Sequence, residues 1–274
     1  MPLLIIYSLK FSIGLAVAWL FYQGVLRRLT FYSWNRWYLL GYTSLCFFIP
    51  LINVQRVVES GPFTTPGIIR YIPVFQLPAR DHSWDLVIFL LVAVSAILLI
   101  RLVIGWLSVR KMRRHATPVS GLAMTGKSDP ERMQIYQVEE KIVPFSFGNA
   151  IYINQDLHTE KEYEEIILHE FVHIRQRHSV DILAAELMCV FAWYNPFAWL
   201  IRHSIRQNLE FIADSKVLEK GFDKKGYQYH LLKVIGEPKY RLATNFNFSS
   251  LKKRIVMMNK IRSARLHLVK FLFV

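Results

Sequence analysis

Residues 159–175 read Thr159-Glu160-Lys161-Glu162-Tyr163-Glu164-Glu165-Ile166-Ile167-Leu168-His169-Glu170-Phe171-Val172-His173-Ile174-Arg175. Thr159 and Glu162 have the spacing of a capping box, so a helix is predicted to open there and run through Ile166, Ile167, Phe171 and Ile174. Inside it, His169-Glu170-Phe171-Val172-His173 has the H-E-x-x-H form. Four residues advance a helix by about 6 Å and slightly more than one turn, so both imidazoles point the same way. Two nitrogens can then sit about 2.1 Å from one Zn²⁺. Glu170, next to the pair, can accept a proton from a water that the metal activates. With 9 His and 13 Glu in 274 residues, random order gives about 0.014 occurrences of the pattern, so accident is a poor explanation for it.

A catalytic zinc needs a third protein ligand and an open position. Asn195-Pro196 reads as a helix start, with Asn195 as cap and Pro196 at the first position. That helix passes Arg206, Asn208 and Leu209, reaches Glu210-Phe211-Ile212-Ala213-Asp214, and is closed by Gly221. Glu210 and Asp214 share one face. Glu210 is the expected third ligand, and Asp214 the expected acceptor that orients a zinc histidine; an exposed acidic face is the plainer alternative. His178, five residues after His173, is poorly phased to join the site. His203, two turns before Glu210, is a weaker rival ligand. Tyr227, Tyr229 and His230 follow, and His230 is a candidate oxyanion stabiliser against a generic surface or core role.

Upstream, Gln134–Glu139 alternates polar and apolar residues and reads as a strand. Pro144 and Gly148 mark a turn region, after which Ala150–Ile153 reads as a short strand.

The N-terminal part differs in kind. The whole chain has 274 residues, is 53% hydrophobic and only 20% charged, and carries a net charge of +14. This excludes a disordered tail, a collagen-like repeat and a disulfide scaffold. Both cysteines, Cys46 and Cys189, lie in apolar stretches and read as free core thiols. Leu3–Leu26, Trp37–Gln55 and Leu86–Val109 are apolar blocks, each near the roughly 20 residues that cross a bilayer. Lys10 and Arg101 inside them read either as an intramembrane site or as residues that snorkel or pack in the helix bundle. The first loop carries Arg27, Arg28 and Arg36 with no acid, and Arg110, Lys111, Arg113 and Arg114 follow the third block. Lys and Arg stay on the cytoplasmic side, so the first loop and everything after Val109 are expected there, with the N-terminus and the loop at about 55–85 outside.

Ile182–Ile201 is apolar enough to suggest another span, but crossing would put the His169/His173 pair and Glu210 in opposite compartments. The Asn195-Pro196 break points instead to a helical hairpin, buried in the domain or lying against the inner leaflet. The segment Lys252–Lys270 holds seven Lys and Arg and no acid. A basic segment on anionic lipid and the start of a further span both fit it. Direct nucleic-acid binding is not expected, because no recognition motif accompanies the charge.

Taken together, the spans, the H-E-x-x-H helix, the Trp193-Tyr194-Asn195-Pro196 break and the Glu210-x-x-x-Asp214 helix resemble the BlaR/MecR-type antirepressor metallopeptidases. The resemblance is strongest over His169–Asp214, including Asp181, and covers nearly the whole chain. It implies a mainly α membrane protein: three N-terminal transmembrane helices over 1–110, then a cytoplasmic α+β gluzincin-like zinc metallopeptidase domain over 111–262. It implies Zn²⁺ on His169, His173 and Glu210, with Glu170 as base and Asp214 and Asp181 as supporting residues. The strand near Asn149 and Ala150 is implied to hold a substrate peptide by edge addition. Members of the family cleave a transcriptional repressor, and often themselves, in signal transduction at the bacterial inner membrane. Such receptors continue into a fourth span and an outer sensor; here 263–274 is a basic and apolar tail where that span would begin. A non-catalytic zinc-containing transducer and a quality-control protease for membrane proteins are the alternatives. The oligomeric state is open, a homodimer included.

Overall fold

A computed structural model of the chain describes residues 3–51, 84–115, 117–118, 133–139, 142–236 and 244–271. Most of the expected external loop, the end of the second apolar block (52–55) and the last residues of the tail (272–274) lie outside the described residues.

The first apolar block forms α1, Leu3–Phe21, which continues as a π-helical turn over Tyr22–Leu26. The second forms α2, Tyr32–Phe48, followed by a 3₁₀ turn at Ile49–Leu51. The third forms α3, Asp85–His115. Leu4–Leu26 and Asp85–Lys111 are long and apolar enough to cross a membrane. Among the described residues α2 is not a third such helix. It starts at Tyr32 rather than Trp37, and its first turns contain Asn35 and Arg36, both engaged with the protein. Asn35 Nδ2 donates to Leu26 O at 3.4 Å, and Arg36 pairs with Asp181 at 2.7 Å.

A four-stranded sheet follows, with β1 at Thr117–Pro118, β2 at Gln134–Gln137, β3 at Phe145–Phe147 and β4 at Ala150–Ile153. Its order is β1-β2-β4-β3, with β4 parallel to β2 and antiparallel to β3. The region expected to be turn thus contains a strand, and the turn itself is short. It is made at Gly148, whose φ of +60° a side-chain-bearing residue rarely adopts. One face of the sheet, Ile135, Ile151 and Ile153, packs on Tyr163, Ile166 and Ile167. The other carries Tyr136 and Tyr152, stacked with ring centroids 5.4 Å apart.

Helix α4, Glu160–Arg175, opens with the expected capping box between Thr159 and Glu162. Helix α5, His178–Phe191, and α6, Pro196–Glu219, form the expected hairpin, broken at Asn195, whose side chain accepts the Phe197 N–H at 2.9 Å. Past α6, Gly221 takes φ +93° and turns the chain into α7, Lys224–Gly236. Helix α8, Thr244–Met258, and a 3₁₀ segment, Arg265–Phe271, complete the described chain.

The core decides how the site is held. Leu15 and Leu26 from the first block, Leu39 and Cys46 from α2, and Ala185, Ile201, Ile205, Leu209 and Ile212 from the hairpin belong to one buried cluster. The N-terminal helices and the peptidase helices therefore share an interior. Gly14 permits the close α1–α2 approach: a Cβ there would stand 3.1 Å from Cys46 Sγ. The α1–α2 turn also meets the C-terminal segment, where Thr30 and Ser263 exchange hydrogen bonds at 3.1 and 2.8 Å.

Candidate metal centre

Helix α4 sets His169 and His173 one turn apart, and α6 packs beside it and delivers Glu210. The two Nε2 atoms lie 3.3 Å apart, His169 Nε2 is 3.4 Å from Glu210 Oε2, and His173 Nε2 is 3.8 Å from Glu210 Oε1. A tetrahedral cation with bonds of about 2.0–2.2 Å separates its ligand atoms by about 3.3–3.6 Å. Two of the three separations fall in that range, and the third, 3.8 Å from His173 Nε2 to Glu210 Oε1, lies just above it.

The proton inventory points the same way, with the protons assigned from the hydrogen-bond network. Tyr227 OH lies 2.9 Å from both His169 Nδ1 and Asp214 Oδ1. Asp214 is nearly inaccessible and takes a two-pronged contact from Arg254, so it only accepts. The tyrosine proton therefore goes to Asp214, and the tyrosine oxygen accepts Nδ1–H of His169. On the other ring, His173 Nδ1 lies 2.8 Å from His178 Nδ1. His178 Nε2 is 3.4 Å from Gln176 Oε1, an oxygen that also accepts from Arg36 Nη1 at 3.2 Å. His178 thus carries its proton on Nε2 and accepts Nδ1–H of His173. Both Nε2 atoms are left with lone pairs facing a carboxylate. Three acceptors converge with no proton among them, which is what a cation requires.

The electrostatics of His173 and Glu210 agree, whereas those of His169 favour positive charge on its ring. Burial lowers the His173 imidazole to about 4, against the opposing pull of Glu210, so the ring is a neutral donor at ordinary pH. Burial alone would raise the Glu210 carboxyl, but Arg254 and the two imidazoles outweigh it and hold it well below the usual carboxylate range. His169 is shifted upward despite its burial, because Glu210 and Asp214 favour positive charge there. Glu170, on the same helix, is pushed up by burial and by Glu210, while His169, a hydrogen bond from Ser146 and Arg254 act against this. A carboxyl raised in this way is suited to take up and return a proton.

The model of the BlaR1 peptidase M56 family matches residues 3–258, from the first residue of α1 to the last of α8. The chain belongs to that family. As a BlaR1-type peptidase it is a metallopeptidase, and its family and two long apolar helices point to membrane association. No curated protein matches the chain closely enough for comparison.

Other expected residues stand elsewhere in this BlaR1-type peptidase. Asp181 pairs with Arg36 of α2 at 2.7 Å. Asp214 reaches His169 mainly through Tyr227, its direct approach to Nδ1 being 3.5 Å. Ala150 lies in β4, which is paired on both sides, so it offers no edge; the terminal strands of the described sheet are β1 and β3, and Asn149 is in the turn before β4. His230 donates to Glu165, with its Nδ1 3.0 Å from Oε2, and its buried Nε2 has no hydrogen-bond partner among the described residues. His203 is exposed.

His158, Glu162 and His230 form another group whose ligand atoms lie within 4.8 Å of one another. It is less well suited to a cation. Glu162 Oε1 is taken by Lys233 at 2.7 Å and Oε2 by the Thr159 N–H at 3.0 Å.

Three contributors escaped the sequence reading. His178 was dismissed on helical phase. Arg254 was one cation in a basic run, and nothing marked it as inward. Ser146 lay in a region read as turn.

Proposed function

We propose that the protein is a zinc endopeptidase of the bacterial inner membrane that cuts a cytoplasmic or membrane-proximal protein in signal transduction. A transcriptional repressor and the chain itself are the substrates the family suggests. The convergence of His169 Nε2, His173 Nε2 and the Glu210 carboxylate beside Glu170 carries this reading. Two imidazoles and one carboxylate in tetrahedral spacing are a donor set suited to zinc with a position left open. Bound there, zinc would polarise the scissile carbonyl and acidify a water. Glu170 takes the proton from the attacking water and delivers it to the leaving amine. The substrate backbone adds to the edge of β3, whose Ser146 already touches Glu170, so an extended peptide would pass beside the base.

A cytoplasmic site is supported by the α1–α2 turn. It carries Arg27 and Arg28 and is tied to the C-terminal segment through Thr30 and Ser263, so the basic loop and the peptidase lie at one end. The test compares wild-type and Glu170→Gln cells by profiling protein N-termini. New termini that vanish in the variant support the reading and name the substrate. A substrate cut at the wild-type rate by the variant overturns it.

A further inference from the structure

His178 is fully buried, yet continuing α4 as a regular helix would carry it off the face shared by His169 and His173. The chain solves this at Arg177, which takes φ 54° and ψ 39°, a left-handed conformation. That residue ends the run of α4, starts α5, and swings His178 back over His173, with ring centroids 4.7 Å apart at 79°. Beyond His178 the hydrogen bonds continue to another part of the molecule. Arg36 of α2 donates to Gln176 Oε1 at 3.2 Å, to Gln176 O at 2.8 Å and to Asp181 Oδ1 at 3.2 Å.

We infer that His178 and Arg36 are positioning residues for the metal ligand His173, so that docking of α2 on the peptidase helices sets how tightly the centre holds its cation. This rests on the metal site proposed above. An imidazole ligates through a nitrogen that bears no proton, so the ligand state of His173 requires its proton on Nδ1 and an acceptor to receive it. His178 Nδ1 is that acceptor. It is free to accept because Nε2 of the same ring donates to Gln176, and Arg36 pins the Gln176 amide with its oxygen forward. Asp181 balances the charge of Arg36 in a site where an unpaired cation would be costly. Arg36 follows Asn35, which is bonded to the Leu26 carbonyl, so the relay is anchored in the α1–α2 hairpin. A displacement of α2 against α5 would separate Arg36 from Gln176 and leave the His173 ring without its director.

The test separates hydrogen bonding from packing, using the full chain in detergent and metal affinity from competition between zinc and a chelator. His178→Phe keeps the ring shape and removes the acceptor; His178→Asp changes the shape and keeps an acceptor. The relay predicts zinc bound about 10–100-fold more weakly by His178→Phe and within about threefold of wild type by His178→Asp. Arg36→Met weakens binding by about tenfold, and Arg36→Lys by less. A His178→Phe protein with wild-type affinity, or Phe and Asp variants weakened alike, overturns the inference. Failure of the parent reading looks different: the wild-type chain takes up no zinc, or Glu170→Gln still cleaves, whatever order the His178 variants show.

Discussion

Arg254 Nη1 lies 2.8 Å from Glu210 Oε2, and the same guanidinium takes both oxygens of Asp214 at 2.6 and 2.8 Å. One residue of α8 therefore clamps the carboxylate of the candidate metal site and the one that directs Tyr227 toward His169. Removing it by Arg254→Met strands Asp214 as a buried unpaired charge, which costs about 3–5 kcal/mol. Thermal unfolding should drop accordingly. Arg254→Lys should recover little, because an ammonium cannot reproduce the planar fork. An unchanged Tm in Arg254→Met would show that the clamp adds no stability.

Metal content should fall most steeply when one of the three candidate ligands is removed. His169→Ala, His173→Ala and Glu210→Ala should each weaken zinc binding by more than about a hundredfold, beyond the range seen for losing an outer partner. His230→Ala, whose bond goes to Glu165, should keep the metal. Elemental analysis of the purified variants decides this, and retention by His173→Ala would remove that ring from the ligand set.

Asn195 should matter to the whole of α6. Its side chain satisfies the Phe197 N–H at 2.9 Å in a buried position. Asn195→Ala should cost about 1 kcal/mol, with Asn195→Asp close to wild type. Chemical unfolding measures the difference, and equal midpoints for all three would rule the cap unimportant.

One source of acid sensitivity lies away from the metal site. Burial would raise the Glu162 carboxyl, but Lys233 and the Thr159 N–H outweigh it and lower it from 4.5 to about 2. A carboxyl depressed in the folded state stabilises above its ordinary value, and that contribution is lost as pH falls toward the folded one. Glu162→Gln keeps the capping geometry and removes the charge. The wild-type chain should therefore melt higher than Glu162→Gln near neutral pH, and the gap should close as pH falls from 4.5 toward 2. A gap independent of pH would assign the effect to the cap alone.

Local rules made much of this molecule readable before any coordinates. Thr159 with Glu162, and Asn195 with Pro196, announce two helices, because caps satisfy backbone groups within a few residues of themselves. The four-residue spacing of His169 and His173 fixes their common direction for the same reason. What could not be read depends on breaks and on distant contacts. Phase arguments assume a continuous helix, and Arg177 interrupts it, so His178 was misplaced. Asp181 was implied as a supporting residue of the metal site, but nothing in the sequence showed that its cation, Arg36, comes from α2. Arg254 could not be told from its basic neighbours, since which face of α8 turns inward depends on α6. The edge position implied for Ala150 falls instead to the neighbouring β3, a strand so short that it was hidden among turn residues.

The interior shared by Leu15, Leu39, Ile205 and Leu209 has a temporal consequence. The first helices leave the ribosome long before α6, so their inward faces must wait for a partner made much later. Arg254, which fixes Glu210, emerges later still. A nascent chain thus holds both histidines well before the carboxylate is secured, and a finished cutting centre exists only once synthesis has passed α8.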